Sequence, residues 1–341
     1  SVSKPENSEH PSDKLNIAND GQDSTNATGV VQNCMASVVG IYVGNTTISY
    51  ATGETQEQDT GSGSGVIITD DGYIVTNNHV VQGADTIHVY LQDGTKYDAK
   101  LIGTDTFSDL AIVKIDVANL PAATIGSSGN VTVGDTVYAI GNPLGVLTSS
   151  VSKGIISGLD RTITIDGISM TLMQTDASIN PGNSGGGLFN DSGELIGIVN
   201  AKSASVEVEG LGFAIPVDSA RPVITDLVDL GYVTGRPYIG ITMQDVSLRY
   251  GNSNNRNNPF SFYMDNYVTR VQVMSVESGS AAEKGGLLVN DILMSLNGKE
   301  ITGSSQFAAM LYEYKVGDTV TITVLRGNET KDLTVVLGER S

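Results

Sequence analysis

The residues Ile179–Leu188 read INPGNSGGGL and set one serine, Ser184, among four glycines. A serine hydroxyl attacks a carbonyl carbon only when a base removes its proton, and the usual base is histidine. The chain has three histidines. His10 lies in a polar N-terminal stretch with nothing to hold its geometry. His88, in TIHVYL, projects to one face of a short strand. His79 follows YIVTNN at a strand end, where side chains face clefts, and is the candidate base. An imidazole base needs a carboxylate to fix its tautomer and stabilise the imidazolium. Asp109, in DTFSDLAIVKID, stands at the mouth of an apolar strand where it is half-shielded. Asp105, in a more open turn, is the alternative acid, with a plainer role as a turn cap. The glycines then acquire a purpose. A tetrahedral intermediate carries an oxyanion that needs N–H donors already in place. The N–H groups of Ser184 and Gly182 supply them if the peptide curls tightly, with Asn183 contributing backbone. Gly185 and Gly186 leave room for a substrate, and Pro181 stiffens the approach.

These groups need a scaffold. Residues 1–29 are polar, with isolated apolar positions, and read as a flexible arm. From Val30 onward, short runs rich in Val and Ile alternate with Gly, Asp and Asn. TDDGYI and QDGTKY have the Asp-Gly signature of hairpin turns. VVQNCMASVVGIYVG is read among the β-rich runs, and ETQEQDTGSGSG (54–65) as a polar, mobile loop. Ten or more short strands at this spacing imply antiparallel barrels or sandwiches. VDSARPVITDLVDLGY has apolar residues near a 3.6 period. It predicts one helix, with Asp218 or Ser219 as N-cap and Gly231 as stop, at the seam between two domains. A smaller unit follows Gly235-Arg236-Pro237, and within it the Asn-rich stretch 248–266 reads as an exposed loop.

Length and composition agree with two domains: 341 residues, 39% of them hydrophobic. The net charge is −19, which leaves no basic patch for a nucleic acid. A single cysteine, Cys34, excludes an intrachain disulfide and reads as a buried small hydrophobe. No run of about 18 apolar residues occurs, so a membrane anchor is expected only upstream of this chain. No metal-ligand spacing or phosphate-binding glycine loop stands in its required context, so neither metal nor cofactor is expected.

TNNHVV with His79, SDLAIVKI with Asp109 and GNSGGGL with Ser184 resemble the trypsin-like proteases of the HtrA (Deg) family. So do AIGNPLG, GIISGLDR, QTDASINPGNSGG and GLGFAIPVD. The resemblance implies a mainly β fold: two six-stranded antiparallel β-barrels of chymotrypsin type over 30–232, with the site in the cleft between them. An α+β PDZ domain over 236–340 then follows. It implies an ATP-independent serine endopeptidase acting on unfolded or misfolded proteins in quality control and the stress response. The expected setting is extracytoplasmic, with the full-length protein membrane-tethered and assembled as a homotrimer. The specificity pocket falls at Ser178, Ile179 and Asn180, facing Asn200, Ala201 and Lys202. With Ser178 at the pocket base no acid awaits Lys or Arg, and Ile179 suggests a small apolar slot. Gly187 departs from the small residue or proline common in the family and is expected to loosen the following strand. In the second unit, Tyr238, Ile239, Gly240 and Ile241 match the loop whose N–H groups capture a peptide C-terminus. SGSAAEKGGLLVNDILMSLNGKEI extends that match, and SSQFAAMLYEY (304–314) forms the other groove wall. The competing reading is a binding protein or chaperone on a protease scaffold, which a complete triad argues against.

Overall fold

The computed structural model describes residues 10–17, 27–48, 55–143, 149–165, 168–202, 210–249 and 267–340. The chain divides into two compact units, the first closing at Val233 and the second starting at Thr234.

In the first unit, α1 (Ala27–Ala36) leads into β1 (Val38–Ile48), β2 (Thr55–Ile67) and β3 (Tyr73–Thr76). The short helix α2 (Asn78–Val81) precedes β4 (Thr86–Tyr90), β5 (Lys96–Asp98), β6 (Lys100–Asp105) and β7 (Leu110–Lys114). These seven strands form one sheet in the order β5-β4-β1-β2-β3-β7-β6. The second sheet comprises β8 (Thr124–Ile125), β9 (Thr136–Gly141), β10 (Ser150–Ile165), β11 (Ile168–Thr175), β12 (Gly187–Asn190), β13 (Glu194–Val199) and β14 (Gly212–Pro216). Its order is β12-β9-β10-β11-β14-β13-β8, and a β12–β13 pairing closes six of the strands on themselves. The seventh, β8, adds in parallel to β13. The architecture is thus the expected pair of β-barrel sheets, with seven strands in each where six were predicted.

Each sheet buries one face against its own core. Val39, Ile41, Ile67, Ile74, Val89 and Val113 pack the first, and Val137, Ile156, Met173, Leu188, Ile196 and Val199 the second. Full burial of a side chain of this size is worth about 1.5–3 kcal/mol, so strand register is strongly specified wherever these residues alternate.

Several local expectations change. Residues 27–36 are helical, and the strand starts only at Val38, because Val30 and Cys34, four apart, bury one helical face. Burial pushes the Cys34 thiol up to about 11, the backbone hydrogen bond at Cys34 offsetting only part of it. Of the stretch read as a loop at 54–65, residues 55–65 belong to strand β2, paired with β1 from Val38–Val66 to Ile48–Thr55, and residue 54 lies outside the described residues. Its polar side chains find partners across the sheet: Glu57 accepts from Thr86 Oγ1 at 2.5 Å. The arm expected to be flexible is held at residues 10–17. Ser12 donates to Asp229 through N–H at 3.0 Å and through Oγ at 2.6 Å, and Asn16 donates to Thr124 at 3.1 Å. Ile17 bridges in parallel to Ile125.

The predicted helix is α3 (Val217–Leu230), with Val223, Ile224, Leu227 and Val228 among its buried residues. Gly231 ends it at φ 79, the left-handed conformation glycine adopts freely. The N-cap is Pro216, two residues before Asp218 and three before Ser219. Asp218 lies inside the helix and instead accepts from Ser127 Oγ at 2.8 Å and Gly129 N–H at 2.7 Å.

The second unit holds β15 (Ile241–Arg249), β16 (Tyr267–Val276), α4 (Ala281–Lys284), β17 (Ile292–Leu296) and β18 (Lys299–Glu300). It ends with α5 (Ser304–Leu311), β19 (Thr319–Arg326) and β20 (Glu329–Val336). The sheet runs β15-β16-β17-β19-β20 with β18 on β17, so β15 is an edge strand. Phe307 of α5 is fully buried against Val271, Val273, Leu293, Ile322 and Val324. Of the Asn-rich stretch, residues 250–266 lie outside the described residues; 248–249 end β15.

Candidate active site

His79 sits on α2, one turn after β3. That turn is fixed by Asp109, just before β7. Asp109 has φ 53, a left-handed conformation that Asp tolerates better than most residues. The kink turns its carbonyl toward the α2 entrance, where it accepts from Asn78 N–H at 3.1 Å and Asn77 Nδ2 at 3.0 Å. Its carboxylate faces His79. Oδ1 accepts from the His79 backbone N–H at 3.0 Å. Oδ2 lies 2.7 Å from His79 Nδ1 and accepts from Asn200 Nδ2 at 3.0 Å. On the far side of the ring, Nε2 is 3.0 Å from Ser184 Oγ. A carboxylate can only accept, so it assigns the ring proton to Nδ1 and leaves the Nε2 lone pair facing the serine. Ser184 Oγ also accepts from Ala201 N–H at 3.1 Å, which further fixes the hydroxyl.

The loop before Ser184 is a tight turn. Asn183 N–H donates to the Asn180 carbonyl at 3.0 Å, Gly186 N–H to Asn183 at 2.9 Å, and Gly185 N–H to Val199 at 2.9 Å. Among the described residues no hydrogen bond ends on the N–H of Gly182 or Ser184, which leaves two donors flanking the hydroxyl for a developing negative charge. Asn183, by contrast, uses its N–H within the turn. Gly185 has φ 82, and a Cβ there would stand 2.2 Å from the Ser64 carbonyl, so only glycine fits. Gly187 does not loosen its strand. It pairs with both β9 and β13, and the Phe189 ring fills the space its Cβ would take, 2.3 Å away.

A cleft of about 590 Å³ opens over these groups, lined by Val43, Thr60, His79, Gly182, Ser184 and Lys202, among others. Of the expected pocket residues, Ala201 and Lys202 line it. Ser178 is exposed, and its carbonyl accepts from Ser152 Oγ at 2.9 Å. Ile179 packs half-buried on the second sheet's core. Asn200 is a correction: fully buried, it holds the Asp109 carboxylate. No local pattern announces that role; a polar residue ending the apolar strand β13 was the only available sign. The alternative acid, Asp105, is buried and accepts from Ser108 N–H at 3.1 Å as a turn cap. His88 is buried between Asp98 Oδ1, 2.9 Å from Nδ1, and Glu57 Oε1, 2.5 Å from Nε2. His10 caps the short 3-10 turn Pro11–Lys14. Among the described residues no His, Cys, Asp or Glu group is arranged to hold a metal.

The second unit carries the other expected site. Ile239 and Gly240 are buried, and Gly240 has φ 79. The carbonyl of Ile239 accepts from Ala282 N–H at 2.7 Å and that of Gly240 from Glu277 N–H at 2.9 Å. In a trans peptide the N–H opposes the C=O, so the N–H groups of Gly240 and Ile241 project the other way, at the start of the edge strand. Tyr238 OH donates to Glu277 at 2.6 Å. Burial first, then that carboxylate, pushes the phenol up to about 12.

Comparison with known proteins finds relatives for both units. A trypsin-like peptidase domain matches residues 63–198 and a PDZ domain residues 237–337. The chain is 38% identical to the serine protease Do-like HtrA of Bacillus subtilis, over 94% of this chain and 74% of that protein. It is 42% identical to Do-like HtrB of the same organism over 82% of this chain, but spans only 62% of that relative. A probable periplasmic serine endoprotease, DegP-like, from Pseudomonas savastanoi is 41% identical, and the chain spans 57% of it. Among solved structures, the HtrA-type protease AlgW with a decapeptide superposes with TM-score 0.56 at 32% identity, covering 93% of this chain and 99% of that one. A serine endoprotease from Yersinia pestis gives 0.53 at 33% identity, covering 94% and 100%. Sharing both domains, in this order, with such relatives over nearly its whole length, the chain belongs to the HtrA family of trypsin-like, PDZ-bearing serine endopeptidases.

Proposed function

We propose that Ser184, His79 and Asp109 are the catalytic triad and that Gly182 and Ser184 form the oxyanion hole. The observation that carries this is the continuous contact Asp109 Oδ2–His79 Nδ1 at 2.7 Å and His79 Nε2–Ser184 Oγ at 3.0 Å. Ser184 Oγ attacks the scissile carbonyl as its proton passes to His79 Nε2. The carbonyl oxygen becomes an oxyanion held by the N–H groups of Gly182 and Ser184. The C–N bond then breaks, the leaving amine takes the proton from His79, and an ester to Ser184 remains. Water, deprotonated by the same nitrogen, hydrolyses the ester. Asp109 stays ionised throughout, and no cofactor enters any step.

The substrates we propose are extended segments of unfolded or misfolded proteins, in extracytoplasmic quality control. The periplasmic naming of several relatives supports the compartment. Among the described residues, the cleft's lining has a lysine and no carboxylate. That favours small apolar side chains before the cut over Lys or Arg. The Tyr238–Ile241 loop, with edge strand β15 beside it, suits a peptide C-terminus adding as a further strand. A homotrimer, and a tether lying outside this chain, complete the proposal. The test is degradation of reduced, unfolded protein or casein by the parent chain and by Ser184→Ala. Cleavage confined to the parent supports the reading. Equal suppression of substrate aggregation by both, with cleavage by neither, favours a chaperone.

A further inference from the structure

We infer that Ser64, a fully buried serine of β2, is a positioning residue that sets the conformation of the oxyanion loop. This rests on the assignment of the Gly182 and Ser184 N–H groups as oxyanion donors. Ser64 grips the loop at two points. Its N–H donates to the Ser184 carbonyl at 2.8 Å, and its hydroxyl donates to the Gly182 carbonyl at 2.6 Å. The same Oγ accepts from Asn142 N–H at 2.8 Å, so both roles of the hydroxyl are filled and its direction is fixed. The Ser64 carbonyl accepts from Thr76 Oγ1 at 2.7 Å, in the strand that leads to His79. One residue of the first sheet therefore joins the strand before the base to the loop around the nucleophile.

The need for such a clamp follows from glycine itself. Gly182 has φ 100, and glycine crosses between its backbone wells at little cost. The local sequence therefore leaves the Gly182–Asn183 peptide, and with it the neighbouring N–H directions, undecided. In the fold that peptide is fixed at both ends: its oxygen by Ser64 Oγ and its N–H by the Asn180 carbonyl at 3.0 Å. Space for the clamp is made by Gly141 and Gly185. A Cβ at Gly141 would lie 3.0 Å from Ser64 Oγ, and one at Gly185 would lie 2.2 Å from the Ser64 carbonyl. Without the hydroxyl, the peptide rotates more freely and the two donors are aligned only part of the time.

The test compares the intact chain with Ser64→Ala and with Ser64→Cys, which keeps the branching with a slightly larger atom and offers a weak donor. Five quantities are measured: kcat and KM on a peptide substrate, Ki for a matching peptide boronate, the low-field Nδ1 proton of His79, and the melting temperature. Ser64→Ala is expected to lower kcat about 10- to 100-fold, less than the ~10²–10³ that follows loss of a whole oxyanion donor. The boronate Ki should rise in parallel, while KM and the His79 proton signal stay unchanged. Ser64→Cys should fall between Ser64→Ala and the parent, and it carries the test if Ser64→Ala does not fold. A kcat and Ki within twofold of the parent in a folded variant would overturn the inference. So would loss of the His79 signal alongside activity, which marks general disruption. If the parent itself fails to bind the boronate more tightly than substrate, the oxyanion assignment fails instead.

Discussion

Replacing Asp109 by Asn tests the triad through hydrogen-bond accounting. The carboxylate receives three donors: the His79 backbone N–H at Oδ1, and both His79 Nδ1–H and Asn200 Nδ2–H at Oδ2. An amide keeps one oxygen and gains an NH₂, so it has two ways to sit. With its oxygen at the Oδ2 position, the productive ring tautomer survives, but the NH₂ confronts the backbone N–H of His79. That donor cannot turn away, and two buried donors lose their acceptor at about 1–3 kcal/mol each. With its NH₂ at the Oδ2 position, it donates to Nδ1 of the other tautomer while its oxygen keeps the backbone N–H of His79, and the cost falls on the Asn200 side-chain donor, which unlike a backbone N–H is able to turn aside. Nε2 then carries the proton and cannot take one from Ser184. One fewer unmet donor is a gap of roughly 1–3 kcal/mol, which leaves a productive fraction near 10⁻¹–10⁻², at about 1.4 kcal/mol per tenfold. Loss of the negative charge beside the imidazolium lowers the rate further. The expected outcome for Asp109→Asn is a fall in kcat/KM of about 10³–10⁴-fold or more, the scale known for this change in a serine triad. KM should be little changed, and ¹⁵N spectra of His79 should place the ring proton on Nε2. A variant within tenfold of the parent, or one retaining the Nδ1–H tautomer, would refute the reasoning.

Three other outcomes follow from single contacts. Asn200→Leu removes one donor from the Asp109 carboxylate; at about 1.5–3 kcal/mol for a bond to a charged group, kcat on a peptide substrate should fall about tenfold or more. Cys34, with its thiol pushed up to about 11 and its side chain buried, should resist iodoacetamide at pH 8 in the native chain and react once unfolded. Rapid native labelling counts against the helical packing of α1. Asp291 is fully buried and accepts from Arg326 Nε at 2.7 Å and Nη2 at 2.8 Å. Burial works to raise its carboxyl, but the Arg326 hydrogen bonds and the Leu288 N–H outweigh it and hold it below the usual range. A depressed folded value means the stabilisation is complete above the unfolded value and is lost as pH falls through the folded one. The protection factors of the Ile322 and Val324 amides, taken relative to intrinsic exchange at each pH, should fall over that acidic range in the parent. Asp291→Asn should be less stable at neutral pH and show a flatter acid response; an unchanged slope would dismiss the linkage.

The proposed catalytic groups were legible in the sequence because their signals are local. Ser184 stands in a glycine-rich turn that no helix or strand accommodates, His79 follows an apolar strand, and Asp109 opens one. Gly231 was legible as a helix stop for the same reason. What the sequence left open depends on partners far along the chain. Residues 55–65 are polar enough to read as a loop and become a strand only because β1 offers them a ladder along their whole length. Residues 10–17 have too few apolar positions to fold alone, and are held by Asp229, Thr124 and Ile125. Asn200 and Ser64 look like ordinary polar residues of a strand end and a glycine-rich run. Their roles arise from contacts spanning 91 and 118 positions. Local conformational preference and hydrophobic period are properties of neighbouring residues, so one chain reveals them. The direction of a hydrogen bond inside a buried site is set by which distant backbone arrives there, and only the folded chain decides that.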